Sequence, residues 1–174
     1  SKISYLNMEG GSVGQFYNLK FSGMFSIHEC PDISIFSSHF GKNYIGDDAV
    51  HIINSNVLIK DTEFENSNMD ALDLDLVIGT LVSNRFINPG NDGLDLSMSN
   101  IISENNNFID CKDKGISVGE GTRVKLINSY IRNGNVGIAV KDKSYATKNN
   151  SIINNCNIAS FSNTHLTRTP KPCV

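Results

Sequence analysis

Asp48, Asp70 and Asp92 stand 22 residues apart, and Asp73, Asp75 and Asp95 follow close behind them. If the step brings them into adjacent rungs, their carboxylates lie about 5 Å apart. Like charges at that distance repel by about 0.8 kcal/mol in water and roughly 3 kcal/mol at an effective dielectric near 20. Such a stack calls for an offset: a bound cation, a lysine capping the column, or carboxyl groups that keep their protons. An all-oxygen set of flexible geometry suits calcium, with Asp70, Asp73, Asp92 and Asp95 as ligands. The alternatives are a ladder of turn hydrogen bonds at Asp48, Asp70 and Asp92 and a solvated face at Asp73, Asp75 and Asp95.

Other groups with chemistry are fewer. Lys114 is the basic residue nearest the acidic column, and it is the candidate base for proton abstraction. Arg123 and Lys125, close to Glu120-Gly121, are candidate substrate clamps, with a solvated strand face as the alternative. His51 heads the outward acidic column, either as a proton carrier or as an inert surface histidine. His28, His39 and His165 share no spacing, so no zinc site built from histidines is expected. No phosphate loop and no nucleophile elbow is present.

The elements that must position these residues emerge from a repeat. Asp48-Ala49-Val50-His51-Ile52 recurs as Asp70-Ala71-Leu72-Asp73-Leu74 and Asp92-Gly93-Leu94-Asp95-Leu96. Lys114-Gly115-Ile116-Ser117-Val118 and Val136-Gly137-Ile138-Ala139-Val140 continue it at the same step. A unit this short cannot hold a strand, a crossover helix and their loops, which need about 30 residues. Its apolar positions alternate, which means strands with one buried face. Val50, Leu72, Leu94, Ile116 and Ile138 form one inward column, and Phe64, Phe86, Phe108, Tyr130 and Ile152 a second. Thr62, Asn84, Asn106, Asn128 and Asn150 make a polar column that reads as an asparagine ladder. The outward set is His51, Asp73, Asp95, Ser117 and Ala139, beside a floor of Ala49, Ala71, Gly93, Gly115 and Gly137.

The expected architecture is all-β: a right-handed parallel β-helix of about seven coils of 22–25 residues. At the usual strand spacing this is a rod on the order of 34 Å long. Residues 1–162 form one domain with an irregular first coil over 1–22, and residues 163–174 are a non-repeating tail. The formal charge is −3 with no basic stripe, so nucleic acid is not an expected partner, and no apolar run is long enough for membrane insertion. The chain opens at Ser1 without a leader segment, as expected of a mature product or an excised module. Of the cysteines, Cys111 and Cys156 lie about two coils apart, too far for a disulfide; the repeat does not place Cys30 and Cys173 well enough to pair them, and free thiols are expected.

With this coil pattern, residues 20–160 resemble the pectate-lyase-like superfamily of right-handed β-helices. Asn91-Asp92-Gly93-Leu94-Asp95-Leu96, with Asp70 and Asp73 one coil earlier, resembles the calcium-binding segment of one family of calcium-dependent pectate lyases. The resemblance implies calcium at Asp92 and Asp95 together with Asp70 or Asp73. Asn91 stands where that family has its first aspartate, and Ser117 where its lysine base would fall. Gly46-Asp47-Asp48, Gly115–Gly119 and Arg123-Val124-Lys125 are similar to polygalacturonase motifs, in a different order. The run Asp113–Glu120 is similar to β-helix modules of large bacterial surface proteins.

Two functional readings arise. The first is a secreted or cell-surface module, non-catalytic, that recognises an acidic polysaccharide or serves as a scaffold, with a calcium-binding acidic patch. The second is a calcium-assisted lyase or epimerase acting on a uronate-containing glycan, with Lys114 as base and Arg123 or Lys125 holding substrate. The chain has no Trp, and Tyr17, Tyr44 and Tyr145 are the candidates for exposed sugar-stacking rings.

Overall fold

The computed structural model describes residues 1–162; the tail, with His165 and Cys173, lies outside the described residues. The chain winds through three parallel sheets of seven strands each. Sheet 1 comprises Lys2–Ser4, Ile33–Phe36, Asn56–Lys60, Ile78–Val82, Asn100–Glu104, Arg123–Ile127 and Tyr145–Asn149. Sheet 2 comprises Asn7–Met8, His39–Phe40, Glu63–Glu65, Arg85–Ile87, Asn107–Ile109, Tyr130–Arg132 and Ile152–Asn154. Sheet 3 comprises Gly23–His28, Asp48–Ile53, Asp70–Asp75, Leu94–Ser97, Lys114–Gly119, Val136–Val140 and Ile158–Ser162. This is the right-handed parallel β-helix that the repeat predicts. No helix among the described residues is long and apolar enough to cross a membrane.

Val50, Leu72, Leu94, Ile116 and Ile138 pair rung by rung and are buried. Opposite them Phe40, Phe64, Phe86 and Phe108 stack with ring centroids 5.4, 4.9 and 4.6 Å apart. The next residue in that column is Ile131, which pairs with Phe108, and not Tyr130. The cause is one extra residue in the turn at Glu120-Gly121. Ser97 pairs with Gly119, a step of 22, whereas Asn100 pairs with Arg123, a step of 23. The slip persists to Ile109 and Arg132 and is undone by Lys114 and Val136, again 22 apart.

The same slip moves the polar ladder. Asn84 Oδ1 accepts from the Thr62 amide at 3.0 Å, and Asn106 Oδ1 accepts from the Asn84 amide at 2.7 Å and its Nδ2 at 3.0 Å. Beyond Asn106 the inward positions are Ser129 and Ser151, with Ser151 Oγ accepting from the Ser129 amide at 3.0 Å. Asn128 and Asn150 instead occupy the corner just before, in left-handed conformations that asparagine tolerates. Other corners use such a residue too, including Leu76 and Met98, whose φ angles are 56° and 49°.

The first coil is more regular than its sequence suggests. Lys2–Ser4 and Asn7–Met8 pair with the second rung, and the irregularity is a hairpin, Gly14–Phe16 with Leu19–Phe21, inserted before sheet 3. The floor of small residues expected on the surface faces the core. Ala71 belongs to the buried cluster, and a Cβ on Gly93 would meet Phe108 Cδ1 at 2.9 Å. Asp70 and Leu72 pair with their neighbours while Ala71 between them does not, so strict alternation fails at this bend.

Candidate functional site

The outer face of sheet 3 gathers the acidic residues. His51, Asp73 and Asp95 are register neighbours on three successive strands, with Asp75 two residues beyond Asp73. Asp48, Asp70 and Asp92 sit at or just before the strand starts, all buried. Asp70 and Asp92 serve the turn. Asp70 Oδ1 accepts from the Asp92 amide at 2.7 Å and from Asn91 Nδ2 at 2.8 Å. Asp92 Oδ1 accepts from the Lys114 amide at 2.9 Å, and Lys114 Nζ donates to both Asp92 oxygens at 3.2 Å. The column therefore ends on a lysine, which also bonds Asp113.

The upper end of the face is a relay. Ser22 Oγ lies 2.5 Å from Asp48 Oδ2 and 2.6 Å from His51 Nδ1. His51 Nε2 lies 3.1 Å from Asp75 Oδ2 and 3.5 Å from Asp73 Oδ2. A hydroxyl has one proton to donate, so two arrangements satisfy the chain. Either the Ser22 hydroxyl donates to an ionised Asp48 and accepts from a proton on His51 Nδ1, or it donates to a bare Nδ1 and accepts from a protonated Asp48. Passing from the first to the second carries a proton from His51 Nδ1 by way of Ser22 to Asp48. Ser22 and its role are not legible in the repeat, because Ser22 comes after the hairpin and has no counterpart in later coils. The one signal is the alignment of Gly23 with Asp48.

Burial sets the electrostatics. Asp73 is pushed up to about 9, first by burial and then by the charges of Asp48, Asp75, Asp95 and Asp70. Burial likewise raises Asp70 to about 7, despite its hydrogen bond from Asp92, and Asp48 to about 6. Asp92 rises only to about 6, because burial is opposed by Lys114. For Lys114 itself, burial favours the neutral amine, but its bonds to Asp113 and Asp92 outweigh this and hold it above the ordinary lysine range. Two groups of three ligand atoms on this face lie within 4.8 Å of one another: Asp48, His51 and Asp73, and Asp47, Asp48 and Asp70. Of the predicted calcium ligands, Asp70 and Asp73 belong to these groups; Asp92 is engaged by Lys114, and Asp95 stands beside Asp73.

Lys114 lies on sheet 3, whereas Arg123 and Lys125 are exposed on sheet 1. The three are not brought to one locus. Tyr17, Tyr44 and Tyr145 are all exposed. Cys30, Cys111 and Cys156 are free thiols, and burial, followed by the Asp92 charge, raises Cys111 to about 12, which makes it unreactive.

The sequence pattern of the right handed beta helix region matches residues 5–168, nearly the whole chain. The chain belongs to this family. Membership in the right-handed β-helix family agrees with the three-sheet winding and speaks to the fold, not to a reaction. Among curated proteins none matches the chain.

Proposed function

We propose that the chain is a non-catalytic β-helix module of a secreted or cell-surface protein, which recognises an acidic polysaccharide through calcium held on the acidic face of sheet 3. One observation carries this reading: the Asp73 carboxylate stands among Asp48, Asp75, Asp95 and Asp70, and burial first and then these charges push it up to about 9. A divalent cation supplies the missing positive charge. Asp47, Asp48 and Asp70 form the all-oxygen group that suits calcium, with Asp73 and Asp95 beside it. Asp92 serves the fold, through Lys114. An ion with free positions on this face bridges to uronate carboxylates, a mode of recognition that does not depend on tryptophan.

The lyase or epimerase reading gains no support from the geometry. A base must offer a free amine, and Lys114 is held as an ammonium between Asp92 and Asp113.

Thermal unfolding in millimolar calcium and then in excess chelator tests the proposal. Calcium should raise Tm in the wild type and not in Asp70→Asn or Asp73→Asn, by linkage. Polygalacturonate beads should retain the protein with calcium and release it with chelator, while neutral dextran beads should not retain it. Absence of a calcium-dependent Tm shift would remove the metal from this reading, and absence of retention would remove the glycan.

A further inference from the structure

We propose that His39, Glu63 and Glu65, on the outer face of sheet 2, form a site for a first-row divalent cation of the zinc class. The site is separate from the acidic face and uses one histidine with two glutamates. His39 and Glu63 are register neighbours, and Glu63 and Glu65 flank the inward Phe64, so all three side chains leave the same face. Their ligand atoms lie within 4.8 Å of one another.

The imidazole is oriented from outside the trio. His39 Nδ1 donates to Asn7 Oδ1 at 2.9 Å, one rung away. With the proton on Nδ1, the Nε2 lone pair faces Glu65 Oε2 at 3.5 Å and Glu63 Oε1 at 4.0 Å. Three electron-pair donors thus converge on one point. An ion bound at roughly 2.0–2.2 Å from each requires ligand atoms roughly 3.0–3.6 Å apart, so closure needs only a small side-chain movement.

Glu63 is fixed in the same manner. Its Oε2 accepts from Arg85 Nη1 at 2.9 Å, which leaves Oε1 turned to the shared point. Metal-ligating histidines and carboxylates are oriented by such outer partners, and here Asn7 and Arg85 supply them. An open cavity of about 510 Å³ adjoins His39 and Glu63 on the side away from Glu65, lined also by Arg85, Tyr5, Asp61 and Ser83. It leaves room for water or a substrate oxygen in the remaining coordination positions.

His51 offers the contrast. Both of its nitrogens lie at hydrogen-bond distance from side chains, Nδ1 2.6 Å from Ser22 Oγ and Nε2 3.1 Å from Asp75 Oδ2, whereas the carboxylates face His39 Nε2 only at 3.5 and 4.0 Å. The choice of metal rests on the donors: an imidazole nitrogen with two carboxylates suits zinc, whereas calcium prefers an all-oxygen shell.

Calorimetric titration of the full chain with zinc chloride, in the presence of saturating calcium, tests the assignment. One zinc ion per chain is expected, with affinity reduced at least about tenfold in His39→Gln and Glu65→Gln and about tenfold in Asn7→Ala. Asp73→Asn and His51→Gln should leave zinc binding unchanged, although Asp73→Asn removes the calcium response. Nitrogen NMR of the unaltered chain gives a second reading: zinc should shift His39 Nε2 and leave His51 unmoved. Failure of zinc to bind, or binding lost in His51→Gln and kept in His39→Gln, would overturn the proposal. So would a His39 ring found doubly protonated at pH 7.5 and insensitive to zinc, since a proton would then hold the place assigned to the metal.

Discussion

Lys114 Nζ donates to both carboxylate oxygens of Asp92 at 3.2 Å, and the pair closes the column of strand-start aspartates. The Asp92 side chain is only 3% exposed and that of Lys114 16%, so neither charge can turn to water without moving the strand. Lys114→Met should therefore cost about 2–4 kcal/mol, because it leaves a buried carboxylate unpaired. Asp92→Asn in the same chain should recover part of the loss. Urea unfolding of the two single variants and the double variant checks both; additive losses would show that the pair is not coupled.

Stability should fall as pH rises. Asp48, Asp70, Asp73 and Asp92 all have folded-state values above their unfolded value of 3.8, at about 6, 7, 9 and 6. Between the unfolded and folded values the folded chain binds more protons than the unfolded one. The stabilisation is thus fully present below pH 3.8 and is lost step by step up to about pH 9. Scanning calorimetry from pH 4 to 9 without calcium should show a declining Tm, with calcium restoring part of it at the alkaline end. A Tm that climbs with pH would contradict the burial of these carboxylates.

Asp73→Asn removes the most opposed of these charges. Without calcium at pH 8 it should gain about 1 kcal/mol, which is roughly 2–4 °C in Tm for a chain of this size. At pH 4, close to the unfolded value of 3.8, placing a proton on the carboxyl costs little in either state, and the gain should nearly vanish.

The inner and outer amide ladders should respond differently. Asn106→Ala leaves the Asn84 amide and Nδ2 without their shared acceptor in a fully buried setting, at a cost of about 2–3 kcal/mol. Asn157→Ala breaks a bond of similar length to Asn135 Oδ1, 3.1 Å, but in solvent and at an ordinary backbone conformation, and should change stability by no more than about 0.5 kcal/mol. Equal losses in the two variants would mean that burial does not decide the strength of the ladder.

Leu76 carries a backbone penalty at its corner, where Asn54 holds the same conformation one rung earlier. Its side chain is exposed, so Leu76→Asn should stabilise the chain by about 1 kcal/mol, read as a higher urea midpoint.

Much of this is legible in the residues themselves. Period-two alternation alone yields the inward column from Val50 to Ile138, and Lys114 falls where a cap to the aspartate column is needed. The repeat puts Tyr130 and Asn128 where Ile131 and Ser129 stand. A single added residue at Glu120-Gly121 leaves local patterns intact while moving the register. Alternation carried through Ala71 turns the small-residue floor outward, but the ladder skips a residue there. Ser22 and the ligand role of His39 escape the repeat for a different reason: their partners lie one coil away in coils whose length departs from it.

The slip at Glu120-Gly121 also says how the molecule can be taken apart and reassembled. Sheets 1 and 2 advance by 23 residues across that coil, while sheet 3 advances by 22 on both sides of it. Sheet 3 is thus the seam at which the numbering of neighbouring coils agrees. A cassette cut between two sheet 3 strands carries both the added residue and its compensation, and can be deleted, duplicated or transplanted without shifting the phase of the later coils. A cut through sheet 1 or sheet 2 across that coil must take 23 residues to keep the same phase.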